Sequence, residues 1–222
     1  MLTGDIVLYS DGFISLCLEG TEQIPGTVYT MRIVNELGAV AFEKTFTIST
    51  KVIGAANQTT YASDAIDNGD LLPAGNSNGQ HIRVEGTLIF DVNYHFGWSD
   101  HVLTEIIMGD NASIEVGSDT RLVMDRVLVH GCDTRWDKIL LQPEAEMQVC
   151  VSIFRDAKKA IVLGEVGDFK SIASLYEDNL IGLESVGAQN NKNDTDIHFI
   201  GNNWWPNIFR NGKIGIIFGS AP

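Results

Sequence analysis

The chain has 222 residues, with 15 Lys and Arg against 29 Asp and Glu, for a formal charge of −14. Its 44% hydrophobic content can supply a real core, which excludes a wholly disordered chain. The acidic balance argues against a surface that tracks nucleic-acid phosphates or anionic membranes, and no run of 18 apolar residues exists to cross a bilayer as a helix.

Residues 1–5 (MLTGD) lack the basic and apolar regions of a secretory signal, so the sequence reads as a protein that stays inside or as a piece of a longer one. Residues 1–50 read as short strands. Segments 6–9 and 13–18 flank a Ser-Asp-Gly turn, and Val28–Val34 and 39–48 flank the hairpin-like loop 35–38 (NELG). Four strands are fewer than the roughly seven of an immunoglobulin-type sandwich. The segment is expected to be the end of a sandwich-like domain or a sheet that covers something else. In residues 51–81 Gly, Asn, Ser, Asp and Thr dominate, which predicts a linker or long surface loop. Asp64, Asp67 and Asp70 cluster there with Gly69; their spacing is not that of an EF-hand, and a solvated loop is expected over a calcium site.

From residue 82 onward, pairs of the form apolar-x-apolar recur. One column runs Leu88/Phe90, Ile114/Val116, Ile139/Leu141, Ile161/Leu163 and Ile181/Leu183, with steps of 26, 25, 22 and 20 residues between first members. A second runs Leu122/Met124, Met147/Val149, Ile172 alone, then Ile197/Phe199. Residues two apart lie on one face of a strand. Two interleaved columns of such pairs predict a solenoid of short strands stacked about 4.8 Å apart. The expected fold is all-β: a right-handed parallel β-helix of about five coils over residues 82–222, preceded by the small strand-rich N-terminal segment.

The stretches 112–117 (ASIEVG), 122–125 (LVMD), 129–132 (VHGC), 136–139 (WDKI) and 147–161 (MQVCVSIFRDAKKAI) resemble the right-handed parallel β-helix repeat family, of pectate-lyase-like architecture, in the form found in large secreted and surface-attached bacterial proteins. Asn202 and Asn203 resemble the Asn-rich turn of such coils, and Lys138 stands where the family usually has glycine. The similarity covers about residues 82–205. It implies the fold and a secreted or cell-surface location; the fold itself hosts lyases, hydrolases, adhesins and structural repeats, so it does not fix an activity.

Carbohydrate cleavage on a β-helix needs carboxylates projecting from one strand face, two of them about 5–9.5 Å apart for hydrolysis. The expected outward residues are Ile89, Glu115, Leu140, Val162 and Gly182 in the first column, and Val123, Gln148, Ser171 and His198 in the second. Only one is a carboxylate, so no catalytic residue is assigned. The histidines His81, His95, His101, His130 and His198 lack metal-ligand spacing, and no nucleotide or nucleophile motif is present. No cofactor or metal site is expected. Ile89, Leu140 and Val162 are expected to form an apolar strip covered by residues 1–50 or another neighbouring segment.

The best polar cluster is Asp133, Arg135, Trp136 and Asp137, with Arg155 and Asp156 one strand later. It reads either as a sugar-contacting patch with Trp136 as stacking platform or, preferred here, as a coil corner with Trp136 filling the end of the core. Trp204, Trp205 and Pro206 read as packing in a turn. The three cysteines Cys17, Cys132 and Cys150 are expected to be free thiols, a Cys132–Cys150 bridge being the alternative. The sequons at Asn57, Asn111 and Asn193 do not place the protein. The apolar run 214–222 has no evident polar cap and reads as a solenoid cut short.

Together these features predict a non-enzymatic scaffold or adhesion segment of a larger secreted or cell-surface bacterial protein. Polysaccharide or another surface protein is the expected partner, with no nucleic acid and no membrane insertion. A carbohydrate-active or glycan-binding fragment of the same fold is the alternative, and a structural repeat of a phage or tail-fibre protein a third.

Overall fold

The computed structural model describes residues 6–8, 14–16, 28–34, 40–47, 50–74, 79–97, 103–132, 134–164, 167–186, 196–201 and 206–219. The chain divides into two units, residues 1–51 and 52–222. In the first unit β1 (Ile6–Leu8) pairs antiparallel with β2 (Ile14–Leu16). Strand β3 (Val28–Val34) pairs antiparallel with β4 (Val40–Thr47), with an irregularity between Ile33 and Val34. These are the four strands expected from the sequence; the loop 35–38 lies outside the described residues.

The second unit is a parallel β-solenoid of three sheets. The first sheet contains β5 (Lys51–Ile53), β7 (His81–Val84), β10 (Thr104–Met108), β13 (Val127–Gly131), β16 (Ile153–Arg155), β19 (Leu175–Glu177) and β22 (Ile208–Arg210). The second contains β6 (Thr59–Tyr61), β8 (Thr87–Phe90), β11 (Ser113–Val116), β14 (Trp136–Leu141), β17 (Ala157–Leu163), β20 (Ile181–Val186) and β23 (Ile214–Gly219). The third contains β9 (Tyr94–Phe96), β12 (Arg121–Asp125), β15 (Glu146–Cys150), β18 (Asp168–Ile172) and β21 (Asp196–Ile200). The chain visits the sheets in that order repeatedly, so β7 to β21 make five complete coils, flanked by the partial coils β5–β6 and β22–β23.

The repeating pairs line the interior, because alternate residues of each strand point inward and equivalent residues stack coil on coil. Leu88, Ile114, Ile139 and Ile161 form one stack, and Phe90, Val116, Leu141 and Leu163 the next. All eight are buried. Two expected positions are corrected by register. Ile161 stacks on Leu183, and Ile181 instead pairs with Lys159, so the last pair of the first column slips by two residues. In the second column Met147 and Val149 stack on Phe169 and Ser171, which puts Ile172 beyond the inward pair and makes Lys170, not Ser171, the outward residue. Ser171 is tolerated in the core because its hydroxyl bonds Tyr176 Oη at 2.9 Å and Asn207 at 2.7 Å. The register of β14 on β17 shifts between Lys138 and Ile139.

Residues 51–74 do not form a linker. Strand β6 pairs with β8, and the N–H of Glu85 donates to the Ile53 carbonyl at 2.9 Å, so this stretch is the first partial coil. It continues into the short helix α1 (Ala62–Asp67), whose Ala62 and Ala65 are buried with Leu71 in the solenoid core. Small side chains let the helix lie close over the start of that core. Asp64 and Asp67 fall on its exposed side, and neither they nor Asp70 belong to a metal-ligand group among the described residues.

Single residues in the left-handed region make the corners. Asp156, Asp178 and Asn211 turn the chain from the first sheet to the second at φ 62°, 57° and 57°. Arg126, Val151 and Ala173 turn it from the third to the first at φ 55°, 50° and 49°. A polar ladder runs beside the latter corner. The Ser152 hydroxyl accepts from Val127 N–H at 3.1 Å, Ser174 from Ser152 N–H at 3.2 Å, and Asn207 Oδ1 from Ser174 N–H at 3.0 Å. Each rung satisfies a backbone donor of the preceding coil that the tight corner leaves without a sheet partner.

Candidate functional site

The outer face of the first sheet carries two rows of side chains. In register these are His81, Glu105, Leu128, Ile153, Leu175 and Ile208 in one row. The other contains Arg83, Ile107 and His130, followed on the later strands by Arg155, Glu177 and Arg210. Although they point away from the core, Leu128, His130, Arg155 and Glu177 are all buried. Buried charges persist only when paired and hydrogen-bonded.

Glu105 holds the centre. Its Oε2 lies 3.0 Å from His81 Nδ1 and its Oε1 3.0 Å from His130 Nε2. Burial alone would raise this carboxyl, but the hydrogen bonds from His130 and His81 and their charges pull it down to about 2. His81, bonded to Glu105, is in turn pushed above its ordinary value. The second nitrogen of His130, Nδ1, faces the Gly131 carbonyl at 3.0 Å. Gly131 is required there: a Cβ would lie 2.2 Å from the Thr134 carbonyl oxygen and meet Asp156. Asp156, at the next corner, has its carboxyl raised by burial against the countervailing pull of His130 and the nearby arginines. Two carboxyl groups driven in opposite directions thus flank one buried histidine.

Farther along the sheet Glu177 accepts from Arg155 Nε at 2.7 Å and from Arg210 on its other oxygen. On the second sheet Lys159 Nζ lies 2.6 Å from Glu184. These contacts join successive coils, so the charge ladder reinforces the backbone stacking.

The patch singled out in the sequence lies next to this cluster and is built differently from a stacking platform. Trp136 is 0% exposed, and its indole N–H donates to the Arg155 carbonyl, so the ring fills the core. Arg135 is exposed and its guanidinium caps the Ala157 and Asp178 carbonyls. Asp137 pairs with Lys138 at 3.2 Å, and Asp133 lies outside the described residues. Also outside them are Cys17, His101, Asn193, Asn202, Asn203, Trp204 and Trp205. Cys150 is free and Cys132 is disulfide-bonded, so the two do not bridge each other and Cys132 is not the expected free thiol. The aliphatic strip is interrupted, because Glu115 sits in register between Ile89 and Leu140.

A second feature lies on the third sheet: an open trough of about 510 Å³ over Asn93, His95, Arg121, Val123 and Gln148. Its arginine is loosely held. Arg121 Nη2 is 3.4 Å from Gln148 Oε1, its Nε is 3.7 Å from Glu146, and its side chain is 55% exposed.

Asp156 was named with the polar cluster at 133–137, but His81, Glu105 and His130 were not brought together by the sequence pattern. The first-sheet column escaped because its outward positions carry Ile107, Leu128, Ile153 and Leu175 beside the inward apolar residues, so alternation vanishes and the strands read as continuous hydrophobic runs. Extending the coil spacing from the second sheet back to 81–84, 104–108 and 127–131 would have placed Glu105 between the two histidines. No known protein family matches the sequence, and neither a curated protein nor a solved structure matches the chain.

Proposed function

We propose that this chain is a non-enzymatic scaffold or adhesion segment of a larger secreted or cell-surface bacterial protein, within the right-handed parallel β-helix repeat family of pectate-lyase-like architecture. The observation that carries this reading is the commitment of outward charge to neighbouring coils. Glu105 is held by two histidines and Glu177 by two arginines, which suits a rigid rod and leaves Glu105 too acidic to serve as a base near neutral pH. The contact surface would be the third-sheet trough, where Arg121 and Gln148 are exposed or half-buried and offer donors to a polysaccharide or a surface protein.

One observation favours the carbohydrate-active alternative: the split between a lowered Glu105 and a raised Asp156 around His130 is the pattern of an acid and base pair. Incubation with a panel of acidic polysaccharides, followed by unsaturated-product absorbance and a reducing-end assay, separates the two. The scaffold reading expects retention of a polysaccharide or surface protein on immobilised chain without turnover. Turnover that disappears in Glu105→Gln or Asp156→Asn would replace it with the enzymatic one.

A further inference from the structure

The two histidines that hold Glu105 differ in what the loss of a proton does to them. His81 presents one ring nitrogen, Nδ1, to Glu105 Oε2, and its side chain is 47% exposed. A neutral His81 keeps that contact by carrying its single ring proton on Nδ1. His130 is 1% exposed, and both of its ring nitrogens face acceptors: Nε2 meets Glu105 Oε1 and Nδ1 the Gly131 carbonyl, each at 3.0 Å. A carbonyl and an ionised carboxylate only accept, so this arrangement takes a proton on each nitrogen. The imidazole left after one proton departs has a single N–H and sets a lone pair against one of the two oxygens.

Packing decides where that conflict is relieved. The His130 ring is sealed from water, and Gly131 is packed so closely that an added Cβ would lie 2.2 Å from the Thr134 carbonyl oxygen. Farther along, Trp136 is fixed in the core with its indole N–H on the Arg155 carbonyl. The strain therefore passes to the backbone of β13 and the turn that follows it. Among the described residues the other charges at this place are Asp156, at the next corner, and Asp178, Arg135 and Arg155 around it. They bias the pH at which His130 gives up a proton and do not alter which contacts it has to lose. With His81 on β7, Glu105 on β10 and His130 on β13, the three side chains tie three successive coils.

We propose that His81, Glu105 and His130 form a proton-operated latch on the first sheet, closed while His130 carries both ring protons and opened locally at β13 when one is lost. The sign follows from the form the fold binds. The imidazolium makes both contacts, so the latch tightens as pH falls through the titration of His130 and loosens as pH rises through it. Glu105 sets the acid limit, because its carboxyl stays ionised down to about 2. His81 adds strength without being the trigger, since its half-exposed ring keeps its contact in either form. The latch needs no ligand and is independent of the adhesive reading.

Histidine-ring NMR and amide hydrogen exchange on the full 222-residue chain, across about pH 5 to 8, test it together. Exchange rates corrected for the intrinsic effect of pH give the opening equilibrium of each strand. Opening of β13 should rise roughly tenfold over the range, with the same midpoint as the loss of the second ring proton of His130. Strand β17 on the second sheet, tied by Lys159 to Glu184, should show no such rise. His130→Gln, which cannot titrate, should make β13 opening independent of pH, whereas His81→Gln should retain the dependence. The proposal is overturned if the number of protons on the His130 ring does not change across the range, if β13 opening does not follow that change, or if β17 opens equally. The parent chain alone decides these three points, so a variant that fails to fold does not shelter the proposal.

Discussion

The outer faces of the first and third sheets are made from the same polar residue types and behave as opposites. On the first, His130 and Arg155 are each 1% exposed and are hydrogen-bonded to Glu105 and Glu177 across neighbouring coils. On the third, Arg121 and Glu146 are more than half exposed and 3.7 Å apart. Burial, not residue identity, decides what such groups do: a desolvated ion must keep its partner, while a solvated pair contributes little to stability and stays available to a ligand. Substitutions on the two faces should therefore differ in kind.

The largest effect is expected at Glu177. Replacing it with Gln leaves the buried Arg155 guanidinium facing a neutral partner and should destabilise the solenoid by about 3 kcal/mol, read as a lower denaturation midpoint at an unchanged slope. Exchanging Arg155 and Glu177 together for Met and Leu should recover much of that loss. If Glu177→Gln costs no more than a surface substitution, the ladder is not a structural element and the contrast between faces disappears.

Glu105 makes the same point through pH. Its carboxyl is lowered from about 4.5 to about 2, so the stability it contributes is present above the unfolded value and is lost as pH falls between those limits, about 3 kcal/mol in all. His81 is raised, so its contribution is complete below about 6.5 and fades as pH rises through its folded value. Both are present between about pH 4.5 and 6.5. Denaturation midpoints measured from pH 2 to 8 should peak in that window, and Glu105→Gln should flatten the acid limb. An acid limb unchanged in the variant would assign the dependence to other carboxylates.

The legibility of these faces follows from the same burial. In the second and third sheets the apolar-x-apolar pairs recur at a nearly constant spacing, so 88–90, 114–116, 122–124 and 147–149 announce both the strands and their register even where the middle residue is apolar, as at Ile89 and Val123. Where alternation weakens, register fails: Phe169 and Ser171 stack on Met147 and Val149, but the serine breaks the pair and draws attention to Ile172. The first sheet carries apolar residues at both inward and outward positions and shows no period, which hid Glu105 and His130 although Trp136, Arg135 and Asp137 beside them stood out. Residues 51–61 were obscured for another reason. Their strands are three residues long with mostly exposed side chains, so their place in the solenoid comes from backbone pairing, which composition does not record.

The corner joining the two faces offers a smaller test, of opposite sign. Val151 turns the chain from β15 into β16 at φ 50°, a conformation that a β-branched residue adopts with strain, and it is exposed. Its counterpart Ala173 occupies the same corner one coil on. Val151→Gly should stabilise the protein by about 1 kcal/mol, the relief of left-handed strain less the added freedom of the unfolded chain. The same change at Asp156, where the left-handed residue is one that tolerates the region, should give no such gain. A destabilised Val151→Gly would mean that its side chain contributes packing that outweighs the backbone.

The smallest stability effect belongs to the third-sheet trough, and that is its significance. Arg121→Ala removes a half-exposed guanidinium whose contacts are 3.4 and 3.7 Å long, so unfolding free energy should change by less than about 0.5 kcal/mol. Binding is the sensitive readout. An anionic polysaccharide or acidic surface protein seated in the trough would lose one charge-assisted hydrogen bond, which corresponds to roughly a tenfold weaker association. The variant pair Arg121→Ala and Glu177→Gln then separates the faces in one experiment: the first loses partner retention with its fold intact, the second loses fold stability. Equal retention by Arg121→Ala and the parent chain would remove the trough as the contact surface and leave the solenoid's other exposed features to account for any adhesion.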